Sequence, residues 1–179
     1  MKNQGRVKHL IVGGVAGGAT AAARIRRNDE KAEIILFEKG EYISYANCGL
    51  PYYIGGTIKE RSSLFMQTPE AFGRRFNIDV RTKSEVIEID VEKKEVKVMG
   101  EDGSVYTENY DRLLLSPGAT AVKPPIKGIE SDGIFTLRNV SGAVWGKSRI
   151  FARKQFTEIP ALTSPLPWMV GNAFWKSRV

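Results

Sequence analysis

Cys48 is the only cysteine of the 179-residue chain. It stands in the stretch Ser44-Tyr45-Ala46-Asn47-Cys48-Gly49-Leu50-Pro51-Tyr52-Tyr53-Ile54-Gly55-Gly56. A lone thiol closes no intrachain disulfide, so redox work by it needs a small thiol, a peroxide, a second chain or a bound cofactor as partner. The other reading of a single cysteine is a small buried apolar residue. Its neighbours favour chemistry. Asn47 is a good helix N-cap and Pro51 is tolerated in a first turn, so the sequence predicts Cys48 at the start of a short helix. Unpaired N–H groups and the positive dipole end there would favour thiolate over thiol.

A second constellation lies upstream. Gly13, Gly14, Gly17 and Gly18 interrupt an apolar stretch, and an alanine-rich helix is predicted from about Ala16 to Asn28. Before them, Arg6 to Gly13 reads as a buried parallel strand, with Val7, Leu10, Ile11 and Val12 apolar. After the helix, Ala32 to Phe37 reads as the next strand, closed by Glu38. Strand, glycine turn, helix, strand and terminal acid make the dinucleotide-binding layout. In it, backbone N–H groups and the helix N-terminus meet a pyrophosphate, while a carboxylate accepts hydrogen bonds from a ribose diol. Gly13-x-Val15-x-x-Gly18 departs from the strict fingerprint by placing valine at the second glycine position.

The remaining elements must position these groups. Thr57 to Gln67 reads as loop with a short turn. Thr68 caps a helix that has Pro69 at its first position and ends near Phe76; Arg74 and Arg75 lie either near an anionic ligand or on a solvated helix end. Alternation begins at Ile78 and predicts three antiparallel strands, Ser84 to Val91, Glu95 to Met99 and Val105 to Tyr110, with turns at Lys93-Lys94 and Glu101-Asp102-Gly103. Arg112 to Leu115 reads as a further buried strand ending at the turn Ser116-Pro117-Gly118, which suits a close backbone approach to a ligand.

Composition bounds the function. No run approaches the roughly 20 apolar residues needed to span a membrane. A single cysteine fits a reducing cytoplasm better than a disulfide-built secreted scaffold. Lys2, Arg6, Lys8 and Ala21-Ala22-Ala23 imitate a signal peptide, but the intervening glycines and Thr20 make a phosphate-binding turn rather than a hydrophobic helix. Of the net charge of +7, six basic residues and one acidic residue give +5 to residues 141–179, leaving +2 on residues 1–140. The nearly balanced body carries no basic stripe with interleaved aromatics, so no nucleic-acid partner is expected. No metal site is predicted.

Together, Gly13-Gly14-Val15-Ala16-Gly17-Gly18-Ala19-Thr20, Glu38, Ser44 to Gly56 and Tyr110 to Gly118 resemble the N-terminal part of the pyridine nucleotide-disulfide oxidoreductases. The similarity is to their single-cysteine branch, which contains coenzyme A-disulfide reductases and related NADH oxidases. Phe135-Thr136-Leu137-Arg138-Asn139 continues the match, which covers roughly residues 6–140, and Val15 is usual in this branch. The resemblance implies an α/β fold: an incomplete Rossmann-like FAD-binding domain with a parallel sheet plus an antiparallel β-meander. It further implies that Gly13, Gly14, Val15, Ala16, Gly17 and Gly18 hold the FAD pyrophosphate. Glu38, with Lys39 beside it, would hold the adenosine ribose, and Ser116, Pro117 and Gly118 would approach the cofactor. Cys48 would face the flavin as the catalytic residue.

In such enzymes NADH or NADPH reduces FAD, FAD reduces the cysteine, and its thiolate attacks a disulfide or a peroxide. Thr20, Arg24, Arg27, Ser44 and Asn47 match positions that contact coenzyme A, and arginines one helical turn apart suit its phosphates. Some members carry a lysine near the position of Phe76. The implied partner is a small-molecule disulfide, coenzyme A disulfide first, and full-length relatives are homodimers. The alternatives are an NADH oxidase or peroxidase cycling Cys48 through sulfenic acid, and a non-catalytic module that binds FAD or ADP. From about Ser141 the resemblance stops. The NAD(P)H domain and dimerisation domain of the family do not follow, and Trp145, Trp168, Trp175, Pro160, Pro165 and Pro167 show no period. The expectation is a truncated or frame-shifted product whose residues 141–179 form a tail not selected to fold, with little activity of its own.

Overall fold

The computed structural model describes residues 6–131 and 134–154. It divides into two units: one of residues 1–45 and 65–118, the other of residues 46–64 and 119–179.

The first unit is built on a four-stranded parallel sheet. β1 (Lys8–Val12) pairs with β2 (Glu33–Glu38) in the register Leu10 opposite Ile35 and Val12 opposite Phe37. Between them runs α1 (Gly17–Asn28). β3 (Asp79–Thr82) adds to the outside of β2, and β7 (Arg112–Leu115) to the other side of β1, giving the order β3-β2-β1-β7. Near-continuous apolar runs in β1 and β2 follow from burial on both faces. Side chains alternate across the sheet: Ile11, Ile34 and Leu36 pack with Ala19, Ala22 and Ala23 of α1 and with Phe72. Leu10, Ile35 and Phe37 pack with Val96 and Val98. Phe72 belongs to α3 (Pro69–Phe76), whose N-cap Thr68 accepts a hydrogen bond from the Ala71 N–H at 3.2 Å, as the sequence predicts.

Val96 and Val98 come from the antiparallel meander β4 (Glu85–Asp90), β5 (Glu95–Met99) and β6 (Val105–Asn109), in the order β4-β5-β6. The parallel sheet therefore carries helices on one face and a meander on the other, which is the predicted fold class. Two sequence expectations change. β3 is a strand of the parallel sheet that the alternation from Ile78 did not separate. β7 is an edge strand rather than a buried one: Leu113 and Leu114 are half-buried and Leu115 is 57% exposed. An apolar run has the same composition at a sheet edge as at its centre.

A polar joint ties the two sheets together. Glu108 of β6 pairs with Lys8 of β1 and, at 2.8 Å, with Arg81 of β3. Arg81 also donates to Asp79 Oδ2 at 2.7 Å, and its guanidinium lies 5.5 Å from the Phe37 ring centre.

In the second unit, a one-turn 3-10 segment, Asn47–Gly49, leads into α2 (Leu50–Gly55), and a second 3-10 turn covers Arg61–Leu64. α4 (Val140–Lys154) packs against α2. Lys147 Nζ sits 3.8 Å from the Tyr53 ring centre, and Phe135 meets Trp145 edge to face at 5.5 Å. α4 crosses the boundary drawn at Ser141. The reason lies in Asn139, whose side-chain oxygen accepts the Gly142 N–H at 2.8 Å and so caps the helix. Val140 and Ala143 are then buried. Trp168, Trp175 and the three prolines from Pro160 lie outside the described residues.

Burial raises the Glu108 pKa, but the hydrogen bonds and charges of Lys8 and Arg81 outweigh it and hold the carboxyl below the ordinary glutamate range. A depressed folded-state pKa contributes stability that is present above the unfolded-state pKa and is lost as pH falls through the folded one. Urea denaturation of Glu108→Gln should therefore show a shallower acid loss of stability than the parent; identical pH profiles would contradict this account of the joint.

Candidate functional site

The turn between β1 and α1 is fixed by backbone bonds to its neighbours in the first unit. Gly13 N–H donates to Phe37 O at 2.7 Å, and Ser116 N–H donates to Val12 O at 2.8 Å. This brings the Ser116 carbonyl directly against the turn. A Cβ on Gly13, where φ is +94°, would lie 2.1 Å from Ser116 O, and one on Gly18 would lie 1.8 Å from Gly13 O. Only glycine fits either place. Gly14 is confined from another side, since its Cβ would reach Ile43 Cγ2 at 2.7 Å and Leu36 Cδ2 at 2.8 Å. Val15 is half-buried and Ala16 is exposed at the entrance to α1.

Glu38 closes the turn. Its Oε2 accepts from Gly14 N–H at 2.8 Å and its Oε1 from Gly40 N–H at 2.8 Å. The carboxylate expected to meet a ribose thus also braces the glycine turn; each oxygen keeps a further lone pair for a hydroxyl donor. Lys39 is largely exposed, with Nζ 3.9 Å from Glu85 Oε1. α1 has no acidic residue in its first turn, and its N-cap Ala16 offers no side-chain acceptor. Its leading N–H groups are accordingly available to an anion. Glycines that no Cβ could replace, uncapped N–H groups and a terminal carboxylate fit the pyrophosphate and ribose of a dinucleotide. Ser116 borders the turn at Gly13 and Gly17, Pro117 is exposed, and Gly118 follows at φ +74°.

Thr20, Arg24 and Arg27 are exposed along α1 at helical spacing. The Arg27 guanidinium lies 5.9 Å from the Phe76 ring centre and that of Arg75 lies 5.3 Å from it, so two cations share one ring. Arg26, next to Arg27 in sequence, does structural work instead: it donates to Phe76 O at 2.8 Å and to Asn77 O at 2.7 Å. Ser44 also belongs to this unit, and its N–H donates to Gly14 O at 3.0 Å.

Cys48 and Asn47 belong to the second unit. Both are exposed, on the 3-10 turn ahead of α2. The Asn47 expectation is corrected here: α2 starts at Leu50, its N-cap is Gly49, and Pro51 occupies its first turn. Cys48 therefore precedes the helix by two residues, and a direct helix-dipole argument for its thiolate loses its geometry. The thiol is nonetheless open to a reagent, which removes the reading of a buried apolar residue.

Sequence reasoning missed three contributors: Gly40, Ile43 and the backbone of Ser44. Gly40 carried a readable signal, a glycine two residues after the strand-ending acid. The others carried none.

Parallel sheet, glycine turn and terminal carboxylate define the first unit as a Rossmann-like dinucleotide-binding fold. Residues 7–148 match the pyridine nucleotide-disulphide oxidoreductase family, and the chain belongs to that family. It is 47% identical over 134 residues to coenzyme A disulfide reductase of Staphylococcus aureus strain JH9, covering 74% of this chain and 30% of that protein. The structure of reduced Bacillus anthracis CoADR-RHD is similar at 51% identity and TM-score 0.81, over 84% of this chain and 27% of the other. The NAD-dependent persulfide reductase from A. fulgidus is similar at 40% identity and TM-score 0.75, over 82% and 27%. A water-forming NADH oxidase from Lactobacillus brevis bound to NADH reaches 29% and 0.74, over 83% and 32%. The chain thus spans less than a third of the curated relative's length.

Glu38→Gln offers one acceptor oxygen in place of two, so one of the two glycine N–H groups loses its partner. We expect a loss of about 1–3 kcal/mol by urea denaturation, with faster amide exchange at Gly14 or Gly40; unchanged stability and exchange would show that Glu38 does not brace the turn.

Proposed function

We propose that this chain carries the FAD-binding part of a flavin-dependent disulfide oxidoreductase resembling coenzyme A-disulfide reductase, with Cys48 as its redox residue. The observation that carries the proposal is the occurrence in one chain of the Gly13–Gly18 cradle braced by Glu38 and a single, exposed cysteine in the Asn47-Cys48-Gly49-Leu50-Pro51-Tyr52 segment. The glycine turn and the N-terminus of α1 bind the pyrophosphate of FAD, Glu38 binds the adenosine ribose with Lys39 alongside, and Ser116, Pro117 and Gly118 border the cofactor. When bound, FAD passes to the cysteine the electron pair that NADH or NADPH provides.

Cys48 does the bond-making. Its thiolate attacks one sulfur of coenzyme A disulfide; the substrate S–S bond breaks, one coenzyme A leaves as thiolate, and a Cys48–coenzyme A mixed disulfide forms. Two electrons then return Cys48 to thiolate and release the second coenzyme A. Thr20, Arg24, Arg27, Ser44 and Asn47 recognise the coenzyme A, the arginines through its phosphates. Arg75, sharing the Phe76 ring with Arg27, stands where the same charge would serve. A reducing cytoplasm is the compartment in which such a thiol works, and homodimers are the assembly implied by the resemblance.

The similarity to the water-forming NADH oxidase supports a second reading, a Cys48 that cycles through sulfenic acid with a peroxide. A third, binding of FAD or ADP without turnover, rests on the Gly13–Gly18 turn and Glu38 alone. Intact-protein and peptide mass spectrometry after exposure to coenzyme A disulfide separates them. We expect a reducible coenzyme A adduct on Cys48, absent from Cys48→Ser and formed several-fold more slowly in Arg27→Ala. A sulfenic acid with peroxide and no adduct would favour the oxidase reading, and no modification by either reagent would leave the binding module.

A further inference from the structure

We propose that Ser44 is a positioning residue for the dinucleotide-binding turn, and that it acts through a left-handed backbone rather than through its hydroxyl. Among the described residues, four that are not glycine have positive φ: Ser44 at 45°, Asn77, Lys83 and Lys94. Asn77 ends α3, where this conformation is common. Lys83 lies between β3 and β4, and Lys94 at the hairpin between β4 and β5. Ser44 is neither a helix cap nor a hairpin turn, and serine is not a residue that favours this region.

What the conformation secures is visible in its two hydrogen bonds. Ser44 N–H donates to Gly14 O at 3.0 Å, while Ser44 O accepts from Met66 N–H at 2.9 Å. An extended residue in an antiparallel pair exchanges both bonds with the same partner. Ser44, at positive φ, instead directs its N–H and its C=O to two separate segments. One is the glycine turn. The other is the chain returning at Phe65 and Met66 after the excursion that contains Cys48.

Two neighbours of Ser44 are fixed by side-chain packing of their own. Ile43 is fully buried against the place a Gly14 side chain would take. Tyr42 stacks on Phe65 with ring centres 4.7 Å apart, and the bond from Met66 N–H to Ser44 O is itself one side of the antiparallel bridge between Tyr45 and Phe65. The N–H of Gly14 is already held by Glu38, Ser44 supplies the donor for the carbonyl of the same residue, and Gly14 is gripped at both polar backbone atoms. This role is additional to any contact of the hydroxyl with coenzyme A, and it rests on the reading of Gly13–Gly18 as a dinucleotide site.

Two substitutions cross the conformation against the hydroxyl. Ser44→Gly removes the hydroxyl and favours positive φ; Ser44→Thr keeps the hydroxyl and, being β-branched, disfavours it. Amide hydrogen exchange is measured by NMR on the full chain without ligand, so the result does not depend on cofactor binding. We expect exchange at position 44 and at Met66 to be as slow in Ser44→Gly as in the parent, or slower. In Ser44→Thr it should be several-fold faster, from the added cost of a β-branched side chain at positive φ, with the sheet amides of Leu10 and Ile35 unchanged. Protection kept in Ser44→Thr, protection lost in both variants, or a loss that spreads to the sheet amides overturns the proposal. Calorimetric titration with ADP adds the functional readout: affinity should fall at least about threefold in Ser44→Thr and hold within about twofold in Ser44→Gly. A parent chain with no affinity for ADP would count against the dinucleotide reading, while the exchange result would still decide the conformational role of Ser44.

Discussion

The backbone of Gly13 passes so close to the carbonyl of Ser116 that no side chain fits between them, and the architecture of the first unit follows from that approach. It requires β1 and β7 to end side by side, which the parallel pairing of Val12 with Leu115 provides. It also requires β2 to end level with them, which places Glu38 within reach of the turn. The close approach is possible because β1 and β2 are buried on both faces, so the strand ends are held by the core rather than by the loops that follow. A dinucleotide site of this kind is a property of the ends of strands, and the elements that do not touch it, the meander and α3, serve by covering the sheet.

The electrostatics divide in the same way. Arg81 and Lys8 pair with Glu108 between the two sheets, Asp79 balances the second positive charge, and Arg26 spends its guanidinium on the carbonyls that end α3 and follow it and on those of Asp29 and Glu30 after α1. Arg24 and Arg27 lie exposed on α1, and Arg75 joins Arg27 at Phe76. Basic residues near helix C-termini have a general stabilising role, yet Arg26 already fills that role for α1. In the function proposed above, the exposed pair is what remains for a phosphorylated ligand.

Much of this was legible in the residues. The capping pair Thr68-Pro69, the alternation of the meander and the glycine turn between two apolar strands each report a local physical requirement, and the structure meets each. The failures have physical causes too. β3 is four residues long and carries too little alternation to stand out. The edge position of β7 depends on which strands lie beside it, and no composition reports that. Asn47 had the right chemistry for a cap, but the turn is completed by the Gly49 N–H reaching Ala46 O, and the helix starts later. Asn139 carried the same signal truthfully, and α4 follows it; there the irregular composition beyond Ser141 obscured a sound cap. The positive φ of Ser44 had no signature at all, because the residue that adopts it is not glycine.

The central claim is that the Gly13–Gly18 turn, braced by Glu38 and bordered by Ser116, is a working half of a flavin site. Its most direct test is the visible absorption spectrum of the purified chain after incubation with excess FAD and removal of free cofactor. Flavin absorbance that stays with the protein is the predicted result. A colourless protein whose circular dichroism still shows the folded α/β unit would contradict the claim.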